Sequence, residues 1–301
     1  MTSNRDRAVG CLVGLAVGDA LGATLEFSER DSRAPLTDMI GGGPFDLDAG
    51  QWTDDTSLAL CLAESVLACA GLDQTDLMRR FRRWYREGHN SCTGRCFDIG
   101  ATTRAAIERY ERTGKAEAGD PSPRAAGNGS IMRLAPVAIF WHRVPDEAEC
   151  QAAAQSRVTH AATEAVDGCV LLARILVAAI NGTPKRELFA RRPSVLCPRI
   201  AAIAEGSWDG KTRREIRSSG YVVDTLEAAI WSVARSDGFD EALRLAVNLG
   251  DDADTVGAVT GQIAGALYGL EAIPAQWRER LAWRKRIESL ANALLDEAPG
   301  P

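Results

Sequence analysis

The chain has 301 residues, of which 46% are hydrophobic, 25% are charged and 6% are aromatic, a composition typical of a soluble globular protein with a large core. The net charge of -6 argues against a nonspecific nucleic-acid or membrane-surface binder, which would normally carry a basic face. Helix-favouring residues predominate and β-branched runs are few, so we expect an all-α fold. Because no composition shift or long linker divides the chain, we expect a single domain over residues 1–301.

The N-terminal residues lead quickly into a glycine-rich segment and lack a small-residue cleavage pattern, so we expect no signal peptide. The most apolar stretch, residues 169–180, is too short to cross a bilayer. Eight cysteines are scattered without a Cys-x-x-Cys pair, as in proteins of a reducing compartment. These features predict a cytoplasmic protein with no membrane contact.

Two helices with regularly spaced glycines are predicted at opposite ends of the chain. Residues 5–22 form an apolar run with glycines at positions 10, 14, 18 and 22, and the same spacing recurs at 257, 261, 265 and 269. Each glycine costs a helix roughly 1 kcal/mol relative to alanine. Two such stripes therefore predict core helices whose backbones pack closely.

Helical patterns cover most of the remaining sequence. Glycine and proline make residues 23–52 a predicted loop over a cleft. The further predicted helices are 58–67, 74–87, 98–113, 130–141, 146–157, 161–181, 196–205, 222–235, 239–248, 255–269 and 275–296.

Two acidic clusters each precede a predicted helix: Thr53-Asp54-Asp55 and Asp252-Ala253-Asp254-Thr255. Carboxylates this crowded repel one another unless a cation, a helix N-terminus or solvent offsets their charge. Carboxylate and hydroxyl oxygens are the ligands of hard cations such as Mg²⁺. Because two clusters share this setting, the sequence predicts a metal site between them.

Three further features have weaker signals. The segment Gly127-Asn128-Gly129-Ser130 is predicted to open a helix and to expose backbone N–H groups to an anion such as a phosphate. From the residues alone, His160 is better explained as a helix cap or core partner than as a functional group, and Glu26 and Asp98 as ordinary cap or surface acids.

Taken together, six segments in this order resemble the ADP-ribosylglycohydrolase family: residues 18–22, 51–56, 127–133, 159–160, 220–225 and 250–255. They span nearly the whole chain. The resemblance implies a compact orthogonal multi-helix bundle with a binuclear metal site in a central cleft that binds ADP-ribose. It implies two ions per chain, Mg²⁺ or Mn²⁺.

The resemblance also implies roles for individual residues. The metal ligands would be Thr53, Asp54, Asp55, Asp252, Asp254 and Thr255. The acids beside the scissile bond would be Glu26 and Asp98. The substrate would contact Gly100, Gly127, Asn128, Gly129, Ser130, His160 and Tyr221, with the diphosphate at the Gly127–Ser130 backbone and the adenosine end at Tyr221. Asp251 departs from the family pattern, which often has a second glycine there, and its role is left open.

The predicted activity is hydrolysis of the bond between ADP-ribose and a modified acceptor, first of all a protein arginine. Loops at about 27–50 and 85–97 are expected to select the acceptor. Alternatives are a serine-linked or O-acetyl-ADP-ribose hydrolase, a non-catalytic ADP-ribose-binding protein, and an all-α isoprenoid-type synthase, which would need Asp-Asp-x-x-Asp on two facing helices. We expect a monomer that meets nucleic acid only as a modified substrate.

Overall fold

The computed structural model describes residues 2–300, and within them the chain forms fourteen α-helices and no β-strand, which confirms the all-α prediction. The helices are α1 (Asn4–Gly22), α2 (Asp54–Cys69), α3 (Gln74–Glu87), α4 (Ala101–Thr113), α5 (Ala135–Phe140), α6 (Pro145–Arg157), α7 (Thr163–Ile180), α8 (Lys185–Leu188), α9 (Pro198–Ala204), α10 (Val222–Ala234), α11 (Phe239–Val247), α12 (Ala253–Tyr268), α13 (Ala275–Arg280) and α14 (Arg284–Asp296).

Three helix predictions are wrong in extent, each for a local reason. The helix predicted at 130–141 is only α5, because residues 129–133 form turns. The helix predicted at 275–296 is divided into α13 and α14, because Trp283 adopts a left-handed φ of 53° that an α-helix cannot continue. The helix predicted at 98–113 begins at Ala101, since Asp98 is also left-handed, with φ 57°.

The two glycine-striped helices, α1 and α12, pack against each other along their length, as the spacing predicts. A Cβ atom built on Gly14 would overlap the carbonyl oxygen of Gly261, and one on Gly261 would overlap that of Gly14. The same reciprocal fit recurs at Gly18 and Gly257. Because only glycine permits this approach, the relative position of the two helices is tightly fixed.

Helix α1 lies in the interior of the protein. By length and composition the segment Asn4–Leu25 could cross a membrane, yet the whole of its most apolar 18-residue window is buried among the described residues. Buried apolar side chains from Ala8 to Leu295 form one cluster around it. Its apolar character is therefore accounted for by the core.

Candidate active site

Asp19, in the last turn of α1, holds the segment that begins α2. Its Oδ1 accepts hydrogen bonds from the N–H and the hydroxyl of Thr53, at 2.8 and 2.9 Å. Its Oδ2 accepts hydrogen bonds from the N–H and the hydroxyl of Thr56, at 3.0 and 2.6 Å. Asp19 is fully buried. These four bonds fix the first acidic cluster relative to the α1–α12 pair.

The Thr53 hydroxyl lies among carboxylates from three elements. Its Oγ1 is 2.9 Å from Asp19 Oδ1, 3.3 Å from Asp55 Oδ2 and 3.2 Å from Asp254 Oδ2. The Thr255 hydroxyl lies 3.4 Å from the same oxygen of Asp55. A hydroxyl carries one proton and can satisfy one of these acceptors at a time. The two acidic clusters therefore meet. Their carboxylate oxygens outnumber the hydroxyl protons of Thr53 and Thr255 that could form hydrogen bonds to them.

Glu26 connects the first loop to the start of α12. Its Oε2 accepts a hydrogen bond from the N–H of Ala253 at 2.9 Å and lies 3.5 Å from the N–H of Asp254. Asp252 occupies the N-cap position of α12, but its side chain caps nothing and instead accepts a hydrogen bond from Asn128 Nδ2 at 2.7 Å. Glu26 thus replaces the usual N-cap side chain, which leaves Asp252 free for the cleft.

Glu26, Asp98 and Asp254 converge: each offers a carboxylate oxygen within 4.8 Å of those of the other two. Burial first, and then the charge of Asp254, raises the pKa values of Glu26 and Asp98 far above the usual carboxyl range. The same two causes raise the pKa values of Asp54 and Asp55. In the absence of a cation these shifts favour the protonated forms of the four acids.

The acids fit a hard cation. Seven carboxylates gather here: Asp19, Glu26, Asp54, Asp55, Asp98, Asp252 and Asp254. Within residues 2–300 none of them forms an ion pair with a lysine, arginine or histidine. The buried Oδ1 of Asp55 also has no hydrogen-bond partner there. Buried acids without protein counter-charges are the expected setting of a bound divalent ion.

A cavity of about 540 Å³ opens onto these acids. Its lining includes five acids of the cluster, namely Glu26, Asp54, Asp98, Asp252 and Asp254, together with Thr255, Gly100, Gly127, Asn128, Gly129 and His160. The volume suits a ligand of nucleotide size. Asp19, Thr53 and Asp55 are fully buried and support the acids that face the cavity.

Gly127, Asn128 and Gly129 line the cavity, and the chain continues through Ser130 as a turn, so the prediction that this segment opens a helix is wrong. The N–H of Asn128 donates to the carbonyl of Gly220 at 3.1 Å, and the carbonyl of Asn128 accepts from the N–H of Ile131 at 3.0 Å. Within the described chain the N–H groups of Gly129 and Ser130 donate to no other backbone group. Of the two, only Gly129 lines the cavity, so one backbone donor remains there for an anion, although no helix supplies it.

Comparison with known proteins places the chain in a family. A family model described as ADP-ribosylglycohydrolase matches residues 1–301. The chain belongs to the ADP-ribosylglycohydrolase family. It is 52% identical over 294 residues to an "ADP-ribosylarginine hydrolase Tri1" of Pseudomonas putida (strain GB-1), covering 98% of this chain and 79% of the relative. The Serratia proteamaculans (strain 568) protein of the same name is 50% identical over 294 residues, covering 98% and 80%.

A solved structure described as "ADP-ribosylglycohydrolase-related protein complex" has the same fold. It superimposes with a TM-score of 0.89 and 44% identity, covering 99% of this chain and 100% of that chain. Family membership and fold together exclude the isoprenoid-synthase alternative.

In this member of the family, His160 is a buried, neutral wall of the cavity. Its Nδ1 lies 2.8 Å from the Thr159 hydroxyl, and a Cβ on Gly129 would come within 2.7 Å of its Cε1. Burial, and next the charge of Arg133, lowers the pKa of His160 to about 3. The imidazole is therefore uncharged at neutral pH and can contact a ligand without attracting its phosphates.

Ser130 and Tyr221 lie outside the cavity lining. Ser130 is fully buried, and its hydroxyl accepts a hydrogen bond from Ser156 at 2.9 Å. The Tyr221 hydroxyl donates to Glu164 Oε2 at 2.6 Å, while its backbone pairs with Gly127. Tyr221 therefore supports the turn from behind in this structure.

The sequence left two residues of the site without a role. Asp19 could have been found as the one acid in the otherwise apolar second half of α1, where an unpaired charge would be costly. Asp251 lines the cavity with φ 55°, a left-handed backbone that favours glycine and tolerates aspartate.

Proposed function

We propose that the protein is a metal-dependent hydrolase that cleaves the N-glycosidic bond between ADP-ribose and a protein arginine. The observation that carries the proposal is the set of buried carboxylates without protein counter-charges, which faces a cavity of about 540 Å³. The arginine acceptor is inferred from two relatives named ADP-ribosylarginine hydrolase, at 52% and 50% identity. Serine-linked and O-acetyl-ADP-ribose are the other acceptors to test.

We propose two divalent ions, Mg²⁺ or Mn²⁺, held by Thr53, Asp54, Asp55, Asp252, Asp254 and Thr255. Support comes from the meeting of the two clusters at Thr53, where three carboxylate oxygens lie within 3.3 Å of one hydroxyl oxygen. Bound cations of this kind supply Lewis-acid stabilisation of negative charge and a template for the ribose hydroxyls. Asp19 would keep Thr53 and the start of α2 in place.

Hydrolysis forms a bond from a water oxygen to the anomeric carbon and breaks the bond from that carbon to the guanidinium nitrogen. One water proton ends on the departing nitrogen. We assign Glu26 as the acid/base group that carries this proton, because the Ala253 N–H fixes its carboxylate at the cavity. Asp98, within 4.8 Å of it, is the second candidate.

For the ADP-ribose itself, we propose that the diphosphate lies against the Gly127–Ser130 segment, at the N–H of Gly129, which lines the cavity and donates to no other backbone group among the described residues. Gly100 opens α4 beside the same cavity, and His160 forms its neutral wall. Tyr221 lies outside the lining but directly follows Gly220, which lines the cavity, and it is the candidate for the adenosine end. The carboxylates and the turn would then bind opposite ends of the same ligand.

The proposal is tested by incubating the purified protein with three substrates: an ADP-ribosylarginine peptide, an ADP-ribosylserine peptide and O-acetyl-ADP-ribose. Each is assayed for ADP-ribose release in Mg²⁺, Mn²⁺ and EDTA. We expect release from the arginine peptide in metal and loss of release in EDTA. No release from any substrate in either metal would contradict a hydrolase. Calorimetric binding of ADP-ribose without turnover would instead support the non-catalytic alternative.

A further inference from the structure

Two residues at the cavity mouth, Phe27 and Asp251, are joined through their backbones. The N–H of Phe27 donates to the carbonyl of Asp251 at 2.7 Å, and the N–H of Asp251 donates to the carbonyl of Ser28 at 2.8 Å. Both residues have a left-handed backbone, with φ 56° and 55°. Such a backbone is unfavourable for most residues other than glycine, and for a phenylalanine it is rare. The pair of bonds therefore holds both side chains in place at the mouth.

Both residues line the cavity and are exposed to solvent. Phe27 is 68% exposed, and Asp251 is exposed beside it. The Asp251 carboxylate has no hydrogen-bond or ion-pair partner within residues 2–300, whereas nearby Arg30 donates through all three of its guanidinium nitrogens to carbonyl oxygens. A carboxylate with this freedom is available to a ligand.

Two further aromatic rings, outside the cavity lining, continue from the ring of Phe27. The ring centroids of Phe27 and Phe45 are 6.2 Å apart, and those of Phe45 and Phe97 are 5.2 Å apart. Phe27 follows Glu26 in the chain, and Phe97 precedes Asp98. Each candidate acid/base group thus has an aromatic neighbour in the sequence.

We propose that Asp251 and the ring of Phe27 form the subsite for the cationic guanidinium of the acceptor arginine. This inference rests on the proposed function and specifies the acceptor side of its site. A guanidinium offers a planar array of N–H donors to a carboxylate and stacks on aromatic faces. The Asp251 carboxylate at the mouth also attracts a cationic acceptor and disfavours an anionic one.

The test compares Asp251→Asn with the wild type on an ADP-ribosylarginine peptide. Asparagine tolerates a left-handed backbone and keeps the shape of the side chain, so only the charge is lost. The matched control is Asp46→Asn, since Asp46 is exposed, has φ 52° and does not line the cavity. Phe27→Leu removes the ring and keeps an apolar side chain. Initial rates give KM and kcat, and ADP-ribose, which lacks the guanidinium, serves as a competitive inhibitor.

We expect Asp251→Asn to raise KM about three- to ten-fold, as for loss of one partly exposed charge pair, and to affect KM more than kcat. The effect should exceed any change in the ADP-ribose inhibition constant and should shrink as salt is added. Phe27→Leu should raise KM in the same direction, and Asp46→Asn should not.

Two results would overturn the subsite while leaving the hydrolase assignment intact. One is an unchanged KM in Asp251→Asn. The other is an equal rise in KM and in the ADP-ribose inhibition constant, which would assign Asp251 to the common ADP-ribose portion. Wild-type protein that cleaves only neutral acceptors would overturn both the arginine assignment and the subsite, so the two failures are distinguishable.

Discussion

The carboxylate of Glu26 accepts a hydrogen bond from the N–H of Ala253 at 2.9 Å, which joins a loop near the N-terminus to the first turn of α12. This contact places Glu26 among the acids of the second cluster without making it part of that cluster. It orients one oxygen of the carboxylate and leaves the other available to the cavity. One carboxylate oxygen of Glu26 therefore fixes the orientation of the side chain, and the other can take part in the proposed proton transfer.

Glu26→Gln is expected to lower kcat about 10²- to 10⁴-fold, because the amide can still accept from Ala253 but cannot carry the proton. ADP-ribose binding, measured by calorimetry, should be largely retained. The control is Glu29→Gln, an exposed residue of the same loop outside the cavity lining. Full turnover by the Glu26→Gln variant would remove Glu26 from the mechanism and leave Asp98 as the acid/base group.

Asp19→Asn is expected to weaken Mn²⁺ binding about 10- to 100-fold, as is common when a residue that orients metal ligands is changed. The amide replaces one accepting oxygen with a donor that faces the N–H and hydroxyl of Thr53 or Thr56. Titration calorimetry with Mn²⁺ measures the affinity, and thermal unfolding checks the fold. Thr56→Ser, which keeps the hydroxyl, is the control. Equal Mn²⁺ affinities in the wild type and the Asp19→Asn variant would show that Asp19 serves only the helix packing.

Metal-free protein should become less stable as pH rises from about 4 to about 7. Burial, and next the charge of Asp254, raises the pKa values of Asp19 and Asp252 to about 7. A folded state with raised carboxyl pKa values binds protons more tightly than the unfolded chain, so its stability falls as those protons leave. Thermal unfolding in EDTA from pH 5 to pH 8 measures this.

Added Mg²⁺ or Mn²⁺ should restore more stability at pH 8 than at pH 5, because at pH 5 protons already neutralise the acids. Asp252→Asn should flatten the pH dependence in EDTA. A melting temperature in EDTA that rises between pH 5 and pH 8 would contradict the proposed charge state of the cluster.

Gly261→Ala is expected to destabilise the protein by about 1–3 kcal/mol, the usual cost of overpacking, or to prevent folding altogether. The added methyl group would overlap the carbonyl oxygen of Gly14 on the facing helix. Gly300→Ala is the control, because a Cβ there meets no atom within 4 Å. Urea unfolding followed by circular dichroism compares the two. Wild-type stability in the Gly261→Ala variant would show that α1 and α12 can separate without cost.

Much of the fold could be predicted because local patterns dictate it. The glycine spacing in α1 and α12 specifies a packing surface, and the acidic clusters coincide with the starts of α2 and α12. The predictions were wrong where tertiary contacts, and not local sequence, decide the backbone conformation. Trp283, Asp98 and the turn at Gly129 interrupt patterns that continue helically in the sequence.

The residue types of the site could be predicted from the sequence, but the hydrogen bonds that join distant residues there could not. The approach of Thr53 to Asp254 could be predicted, because both acidic clusters offer carboxylate and hydroxyl oxygens at the start of a helix. That Glu26 caps α12 and that Asp19 anchors Thr53 could not be predicted, because these bonds join residues 227 and 34 positions apart. Likewise, the exposed pair of Phe27 and Asp251 depends on hydrogen bonds between two loops, which the spacing of apolar residues in the sequence does not reveal.

The close fit of α1 and α12 also determines when the acids can come together during protein synthesis. The two helices stand near opposite ends of the chain, at Asn4–Gly22 and Ala253–Tyr268. As the chain leaves the ribosome, Asp19, Glu26 and the Thr53–Asp55 segment emerge long before α12 exists to meet them. The nascent protein therefore passes most of its synthesis with an incomplete set of acids, and repulsion between the two clusters arises only once the glycine surface of α12 can hold the helices together.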